Sequence, residues 1–335
     1  MIIPRLRRNA SHREENHLNG LKGPASLFLA FFLAGTSVVA ARFVAGKLGT
    51  FTITAVSLFL ALVVLIPVCG KRLFAALRGM KAADCFRLFG QALFGIFLFR
   101  LFLLTGLTHT SSVEAGILTG ATPAITAILA TAVLKEAPDI RKVSGILLTV
   151  LGVLLIQGLL SAGSGFTPDH LPGNALVLCA AGCESAFNVL SRFSAAPGRR
   201  EPVHPLVQTA LVSAVALALS IVPALYESPV SRLAAIGARE WVALAWYGVF
   251  VTALAFVFWY AGIKRSSAFT AAAFSGMMPF SSLILSVLVL GEQANPRQWL
   301  GGLMVVSGMV LIGIGGRRMD ADLKGDAAKC VQTRS

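Results

Sequence analysis

The chain has 335 residues, of which 56% are hydrophobic and 13% charged, with a mean hydropathy of +0.77 and a formal net charge of +14. Soluble domains carry about twice that share of charge, so a soluble globular enzyme is excluded. The basic excess sits in short segments between apolar runs, without aromatic interleaving or a binding fold. It therefore reads as topogenic, and no nucleic-acid partner is expected.

Ten stretches reach the roughly 20 mostly apolar residues that spanning requires. They lie at 25–46, 50–69, 87–107, 112–134, 143–161, 173–193, 205–226, 240–261, 268–290 and 298–315. Lipid offers backbone groups no partner, and these runs are too long and too uniformly apolar for barrel strands. The expected fold is all-α, an integral membrane protein of ten transmembrane helices. The lipid bilayer is its first partner.

With the N-terminus inside, 23 of the 29 Lys and Arg fall in inside segments and four in outside loops. Arg42 and Arg100 lie within spans. The positive-inside rule then places both termini in the cytoplasm. The tails are polar and read as disordered. Residues 161–173, rich in Gly, Ser and Pro, read as an outside linker. The domain reading is a basic cytoplasmic tail (1–24), a first five-helix unit (25–161), an external linker (162–172), a second five-helix unit (173–315) and a cytoplasmic tail (316–335).

The two units repeat one pattern. Residues 106–158 align with 262–314 without a gap, at an offset of 156, and 17 of the 53 pairs are identical. Shared Leu and Val mean little here; shared Gly120/Gly276, Pro123/Pro279, Glu136/Glu292, Gly145/Gly301 and Gly152/Gly308 mean more. Five spans per unit is an odd number, so corresponding loops fall on opposite sides. Lys135 and Lys142, inside, become Gly291 and Gln298, outside. This is the pattern of an inverted-topology repeat, which in membranes encloses a solute pathway.

Catalytic and cofactor signatures are missing. There is no phosphate-binding GxxxxGK[ST], no GxSxG, no HExxH and no CxxC, and the five His are scattered through tails, loops and span ends. The expectation is a non-enzyme with no metal and no cofactor, its cysteines free thiols.

Several residues carry a resemblance. The run from Gly106 to Ser112 into Ala115, then Pro123 and Lys135-Glu136, is echoed by Gly262-Ile263, Ser266-Ser267-Ala268, Pro279 and Gly291-Glu292. With Gly35-Thr36-Ser37-Val38 through Arg42, this resembles the drug/metabolite transporter superfamily, EamA type, over roughly residues 25–315. The resemblance implies secondary transport of a small-molecule solute, with export of amino acids or related compounds as one form, through a cavity between the halves. It implies a cell membrane of the bacterial inner-membrane kind. One departure is that Trp, frequent near the middle of the family's first and sixth spans, is replaced by Ala34-Gly35 and Cys183-Glu184. The alternative is a non-transporting membrane scaffold or sensor subunit.

Polar residues inside spans supply the candidate sites. Glu184 lies about eleven residues into the sixth span, with Asn188 one turn on and on the same face. Arg100 lies about 10 Å from the outer end of the third span at 1.5 Å per residue, and Glu114 near the outer end of the fourth. A charge at mid-bilayer costs about 2.5–3.5 kcal/mol on insertion scales, so these groups face the bundle interior or a wet cavity. Two readings stand: contact with substrate or proton, or a structural ion pair of Arg100 with Glu114 or Glu184. Glu114 is close enough to the interface to be solvated. Gln91, Gln157 and Gln208 read as helix–helix glue, Arg42 and Arg192 as snorkelling anchors. Gly116 and Gly120 form a GxxxG whose counterpart includes Gly276. It serves close packing within a half or a homodimer contact. Pro123 and Pro279 interrupt the helical ladder at matching depths. Glu136 and Glu292 are expected to cap helices or pair with Arg141 and Arg297.

Overall fold

A computed structural model of the protein describes residues 3–44, 46–110, 112–158, 168–195 and 203–312. The described residues contain helices and no strands. In chain order they are α1 (Ile3–Val44), α2 (Thr50–Cys69), α3 (Lys71–Gly79), α4 (Ala82–Ala92), a π-helical segment Leu93–Leu98, α5 (Phe99–Leu107), α6 (Ser112–Thr119), α7 (Thr122–Leu134) and α8 (Ile140–Ile156). After a short turn at Pro168–His170 come α9 (Leu171–Ser194), α10 (Pro205–Tyr226), α11 (Pro229–Ala235), α12 (Ala238–Trp246), a second π-helical segment Tyr247–Leu254, α13 (Ala255–Ile263), α14 (Ala268–Ser275) and α15 (Met277–Leu290). Helix α16 covers residues 296–312.

Among the described residues, eight helical stretches are long and apolar enough to cross a membrane, so the protein is multi-pass. They correspond to eight of the ten expected spans. The fifth corresponds to α8, which has 17 residues. The tenth corresponds to α16, described as far as residue 312. The first tail, read as disordered, is helical from Ile3: its Leu, Arg, Asn and Glu continue the first span's helix backwards. The linker expectation ends early, because helix resumes at Leu171 and its preceding turn at Pro168. The rest of the linker, from 159 to 167, and the tail from 313 onward lie outside the described residues. Residues 70–87, expected as a loop, hold the amphipathic α3, whose Phe74 and Leu77 are exposed beside Arg72 and Arg78. That arrangement suits a membrane interface.

Helix α1 packs on α13 and α15, while α9 packs on α5 and α7. Each unit's opening helix is thus embedded against the same two spans of the other unit. Helix α2 packs lengthwise on α10, and α7 meets α14. The core between them is aromatic. Trp259 lies between Phe31 (ring centroids 5.5 Å apart) and Phe187 (5.7 Å), and Phe187 also meets the fully buried Tyr260.

A close, reciprocal backbone approach joins α8 to α16. A Cβ on Gly145 would lie 2.9 Å from the Gly308 carbonyl oxygen, and one on Gly152 would lie 2.5 Å from that of Gly301. The reverse contacts, Gly301 to Gly152 and Gly308 to Gly145, are both 2.5 Å. Only hydrogen atoms fit in those gaps, which accounts for four of the glycines that the repeat keeps.

Matched interruptions recur in both units. The fourth span breaks at Gly120-Ala121, and α7 starts with Pro123 in its first turn; the ninth breaks at Gly276, with Pro279 in the first turn of α15. At the offset of 156 the segment Leu93–Leu98 falls on the last six residues of Tyr247–Leu254. Helix α7 ends on Lys135 at φ 54° and α15 on Gly291 at φ 69°, each donating its N–H to the carbonyl five residues back, Ala130 and Ser286. The left-handed cap suits Gly; its twin Lys135 adopts it despite the Cβ.

Candidate functional site

A cavity of about 1040 Å³ opens between the two units and is lined from both. Arg72, Asp84, Arg87 and Gln91 come from the first unit; His204, Gln208, Lys264 and Arg265 come from the second. Asp84 accepts from Arg87 (3.2 Å), so the lining is strongly basic. Lys264 donates to the Val203 carbonyl. Burial first, and then the neighbouring Arg265, lower its pKa from the usual lysine range to about 8. Burial likewise lowers the pKa of His204, helped by Arg72 and Lys264.

The inner end of the cavity is polar. Gln91, fully buried, accepts from Gln208 Nε2 and from the Tyr260 hydroxyl, both at 3.0 Å, and donates to Ser194 Oγ at 3.1 Å. One carboxamide thus joins four spans. Gln91 and Gln208 do act as glue, but as a mutual pair facing the cavity. The signal available in sequence was their shared polarity; their meeting, 117 residues apart, was not.

A second polar seam runs between α7 and α9. Thr122 Oγ1 donates to Glu184 Oε2 at 3.4 Å; Thr126 Oγ1 donates to Ser185 Oγ at 3.0 Å; Asn188 Nδ2 donates to Thr126 Oγ1 at 3.5 Å. Ser185 Oγ also donates to the Thr122 carbonyl at 3.2 Å. Glu184 and Asn188 share a face and reach the same helix, just after the break at Pro123. Glu184 is partly exposed and forms no ion pair with Arg100. Sequence reasoning missed Thr122, Thr126 and Ser185, because a hydroxyl in an apolar span usually bonds its own helix.

Arg100 lies elsewhere. Its Nη1 donates to Thr54 Oγ1 on α2, and its Nη2 donates to the Tyr247 hydroxyl at 3.2 Å. The guanidinium stands 5.4 Å from the Tyr247 ring centroid, a cation–π contact. Thr54 in turn donates to the Thr50 carbonyl (2.7 Å), which leaves its oxygen lone pair to Arg100. Of the two readings, the ion pair of Arg100 with Glu114 or Glu184 is not among the contacts of the described residues. One turn away on each helix, Phe51 and Phe97 face one another, ring centroids 6.0 Å apart.

Glu114 is buried, where solvation was expected. It accepts from Asn174 Nδ2 and Thr110 Oγ1 (3.4 Å), and lies 2.6 Å from His170 Nδ1. These contacts tie α6 to the start of α9. Glu136 does cap a helix, receiving the Ala268 N–H at 3.1 and 3.2 Å, but its basic partner is Arg192 at 3.3 Å and not Arg141. Arg192, read as a snorkelling anchor, pairs with Glu136; the Arg42 side chain lies outside what is described. At the opposite end of the bundle, Glu227 caps α2 through Phe51 N, Thr52 N and Thr52 Oγ1, and Lys47 pairs with Glu240. Both contacts tie the α1–α2 turn to the second unit.

The GxxxG is used inside the first unit. A Cβ on Gly116 would meet Gln157, and one on Gly120 would meet Val153 and Leu154, all on or beside α8; Gly276 faces Thr149 and Val305. Gly35 explains the missing Trp of the first span, since its Cβ would lie 1.8 Å from Ser281 Oγ. Among the described residues no three His, Cys, Asp or Glu side chains gather as a metal site. Cys69, Cys85, Cys179 and Cys183 are free thiols. Buried side-chain donors without a partner among the described residues include the indole N–H of Trp259 and the hydroxyls of Ser220 and Ser266.

The EamA-like transporter family model matches residues 21–158 and 171–314. An uncharacterized transporter of Bacillus subtilis, YetK, is 31% identical over 299 residues, covering 88% of either chain. The aromatic amino acid exporter YddG of Ancylobacter novellus is 26% identical over 196 residues, 58% of this chain and 63% of that one. A solved crystal structure superposes with a TM-score of 0.71 at 21% identity, covering 89% of this chain and 98% of the other, a likeness of fold.

Proposed function

We propose, on the premise that this chain belongs to the EamA-like transporter family, that it moves a small metabolite across the cell membrane by alternating access, as a transporter and not an enzyme. In this reading ten helices form two inverted five-helix units, α8 and α16 serving as the fifth and tenth spans. The offset of 156, the matched helix breaks, the matched π-helical segments and the reciprocal Gly145–Gly308 and Gly152–Gly301 contacts all support it. Helix pairings that map onto themselves when the units are exchanged support it too.

The observation that carries the function is the cavity of about 1040 Å³ lined by both units and floored by Gln91 and Gln208. Its basic rim lies at the end that the charge bias assigns to the cytoplasm, which agrees with cytoplasmic termini. The other end is held by Lys47–Glu240 and by Glu227 on α2. The conformation is thus open inward and closed outward, one of the two states alternating access requires. Glu184, with Asn188, Thr122 and Thr126, is the proposed proton- or substrate-coupling site, beside the break at Pro123. Arg100 is the proposed substrate contact. Glu114 is assigned a structural role. Aromatic amino acids, exported by the YddG relative, are among the candidate substrates.

The test is flux in proteoliposomes of solutes first found to accumulate in, or vanish from, cells lacking the protein. Uptake or efflux above protein-free vesicles without ATP supports the proposal; flux that requires ATP, or its absence for every such solute, removes it. Cysteines placed at His109 and Arg265 should react with an impermeant thiol probe from opposite sides, and same-side labelling would remove the inverted topology.

A further inference from the structure

We infer that the transported solute bears a carboxylate, and that Arg100, presented by Thr54 and Tyr247, binds it. The inference rests on the transporter reading and adds the chemical class of the substrate.

Arg100 is a guanidinium inside a span with no acidic partner among the described residues. Glu114, one acid of the expected pair, is bound to Asn174 and His170, and Glu184, the other, to Thr122. A guanidinium carries five N–H donors. Two bonds, to Thr54 and Tyr247, hold it in place and leave the remaining donors without an acceptor among the described residues. The positive-inside rule accounts for Lys and Arg in loops; it gives no reason for one at this depth.

Lipid headgroups do not supply the anion. A helical side chain leans toward its helix N-terminus. Arg100 is close to the C-terminal end of the span Ala82–Leu107, so its side chain leans toward the middle of the bilayer and away from the nearer surface. It also reaches onto α2 and the Tyr247 segment, which belong to opposite units. A group bound there contacts both halves of the molecule. The planar fork left open matches a carboxylate, which accepts two parallel bonds. Arg100 directly follows the π-helical segment Leu93–Leu98, and Tyr247 begins the other one. Such segments re-aim side chains and occur often at functional sites. The rings of Phe51 and Phe97 flank the site, so the body of the ligand meets aromatic faces. The cavity's lining stops short of Arg100; at its mouth Arg72, Arg87, Lys264 and Arg265 concentrate anions on the side of the bundle from which a carboxylate would enter.

The experiment measures thermal stabilisation of the purified full-length protein in an uncharged detergent, at constant ionic strength. The ligands are matched pairs: acetate and acetamide, benzoate and benzamide, succinate and succinamide. At least one carboxylate is expected to raise the melting temperature while its amide does not. Arg100→Gln is expected to weaken that carboxylate by about ten- to a hundredfold, and Arg100→Lys to restore only part of it because the fork is lost. If Arg100→Gln does not accumulate, Tyr247→Phe is expected to weaken the response several-fold. Amides equal to carboxylates, stabilisation by inorganic phosphate alone, no response to any carboxylate, or an unchanged response in these variants overturns the inference. Flux of the stabilising carboxylate in proteoliposomes separates the two readings. Binding without flux leaves the Arg100 site standing and removes transport; flux of neutral solutes with no preference for carboxylates does the reverse.

Discussion

Replacing Gly152 by Ala tests the contact that joins α8 to α16. The new Cβ would lie 2.5 Å from the Gly301 carbonyl oxygen and 2.9 Å from Val305 N and Cγ2. Ordinary contact begins at 3.4 Å, so the helices must separate by 3.4 − 2.5 = 0.9 Å at the crossing. Two of the three obstructing atoms are backbone, so no rotamer change relieves the clash. Overpacking of this kind costs about 1–3 kcal/mol. Against it stands the gain from removing a glycine inside a helix, about 0.8–1 kcal/mol. Gly182 isolates the two effects, because it lies within α9 with nothing within 4 Å of its would-be Cβ. Gly182→Ala carries the propensity gain alone. The difference between the two variants should therefore be the overpacking cost, about 1–3 kcal/mol, with Gly182→Ala the more stable. Thermal unfolding of both in the same detergent measures it. Adding Gly301→Ala should cost less in the Gly152→Ala background than alone, since both methyls enter one gap. Equal midpoints for Gly152→Ala and Gly182→Ala would refute the backbone contact.

Three further outcomes follow from the site. Glu184→Gln should accumulate normally yet lose net transport or its pH dependence, because a neutral mimic cannot change charge between states; superimposable flux–pH curves at matched protein would make Glu184 structural. Glu136→Ala should destabilise by about 1–2 kcal/mol, losing the cap on α14 and leaving Arg192 unpaired, while Arg141→Ala, remote from that carboxylate's observed partners, should be near neutral in the same unfolding assay. For Lys264, a folded pKa of about 8 against an ordinary 10.5 means the unfolded chain holds more protons between those values. Stability of the wild type relative to Lys264→Gln should then rise with pH from about 8 to about 10.5; a melting-temperature difference that stays flat or falls over that range would count against the buried cation.

Several features were legible in the sequence because they depend on short stretches. Hydropathy marked the spans, and Gly120, Pro123, Gly276 and Pro279 marked where helices stop, since a proline cannot donate to the ladder behind it wherever it sits. The gapless offset exposed the repeat, and with it the glycines that let α8 and α16 touch. The location of the charged residues within spans was equally plain. Their partners were not. Arg100 was read either as a substrate contact or as half of an ion pair with Glu114 or Glu184, and it sits on Thr54, 46 residues away, and Tyr247, 147 away. Glu114 was expected near water and is buried under Asn174 and His170. Gln91 and Gln208 read as separate glue and form one cluster.

What the sequence determined by itself was which residues must be helical in lipid and which of them carry charge into it. Backbone groups without water have one local solution, and a buried charge is expensive wherever it lies. The tertiary structure alone decided which hydroxyl, ring or carboxylate each charge would meet. It decided that Glu114 would be satisfied and that Arg100 would be left with donors to spare. Such partners come from helices far apart in the chain, brought together by packing of side chains that hydropathy counts as alike.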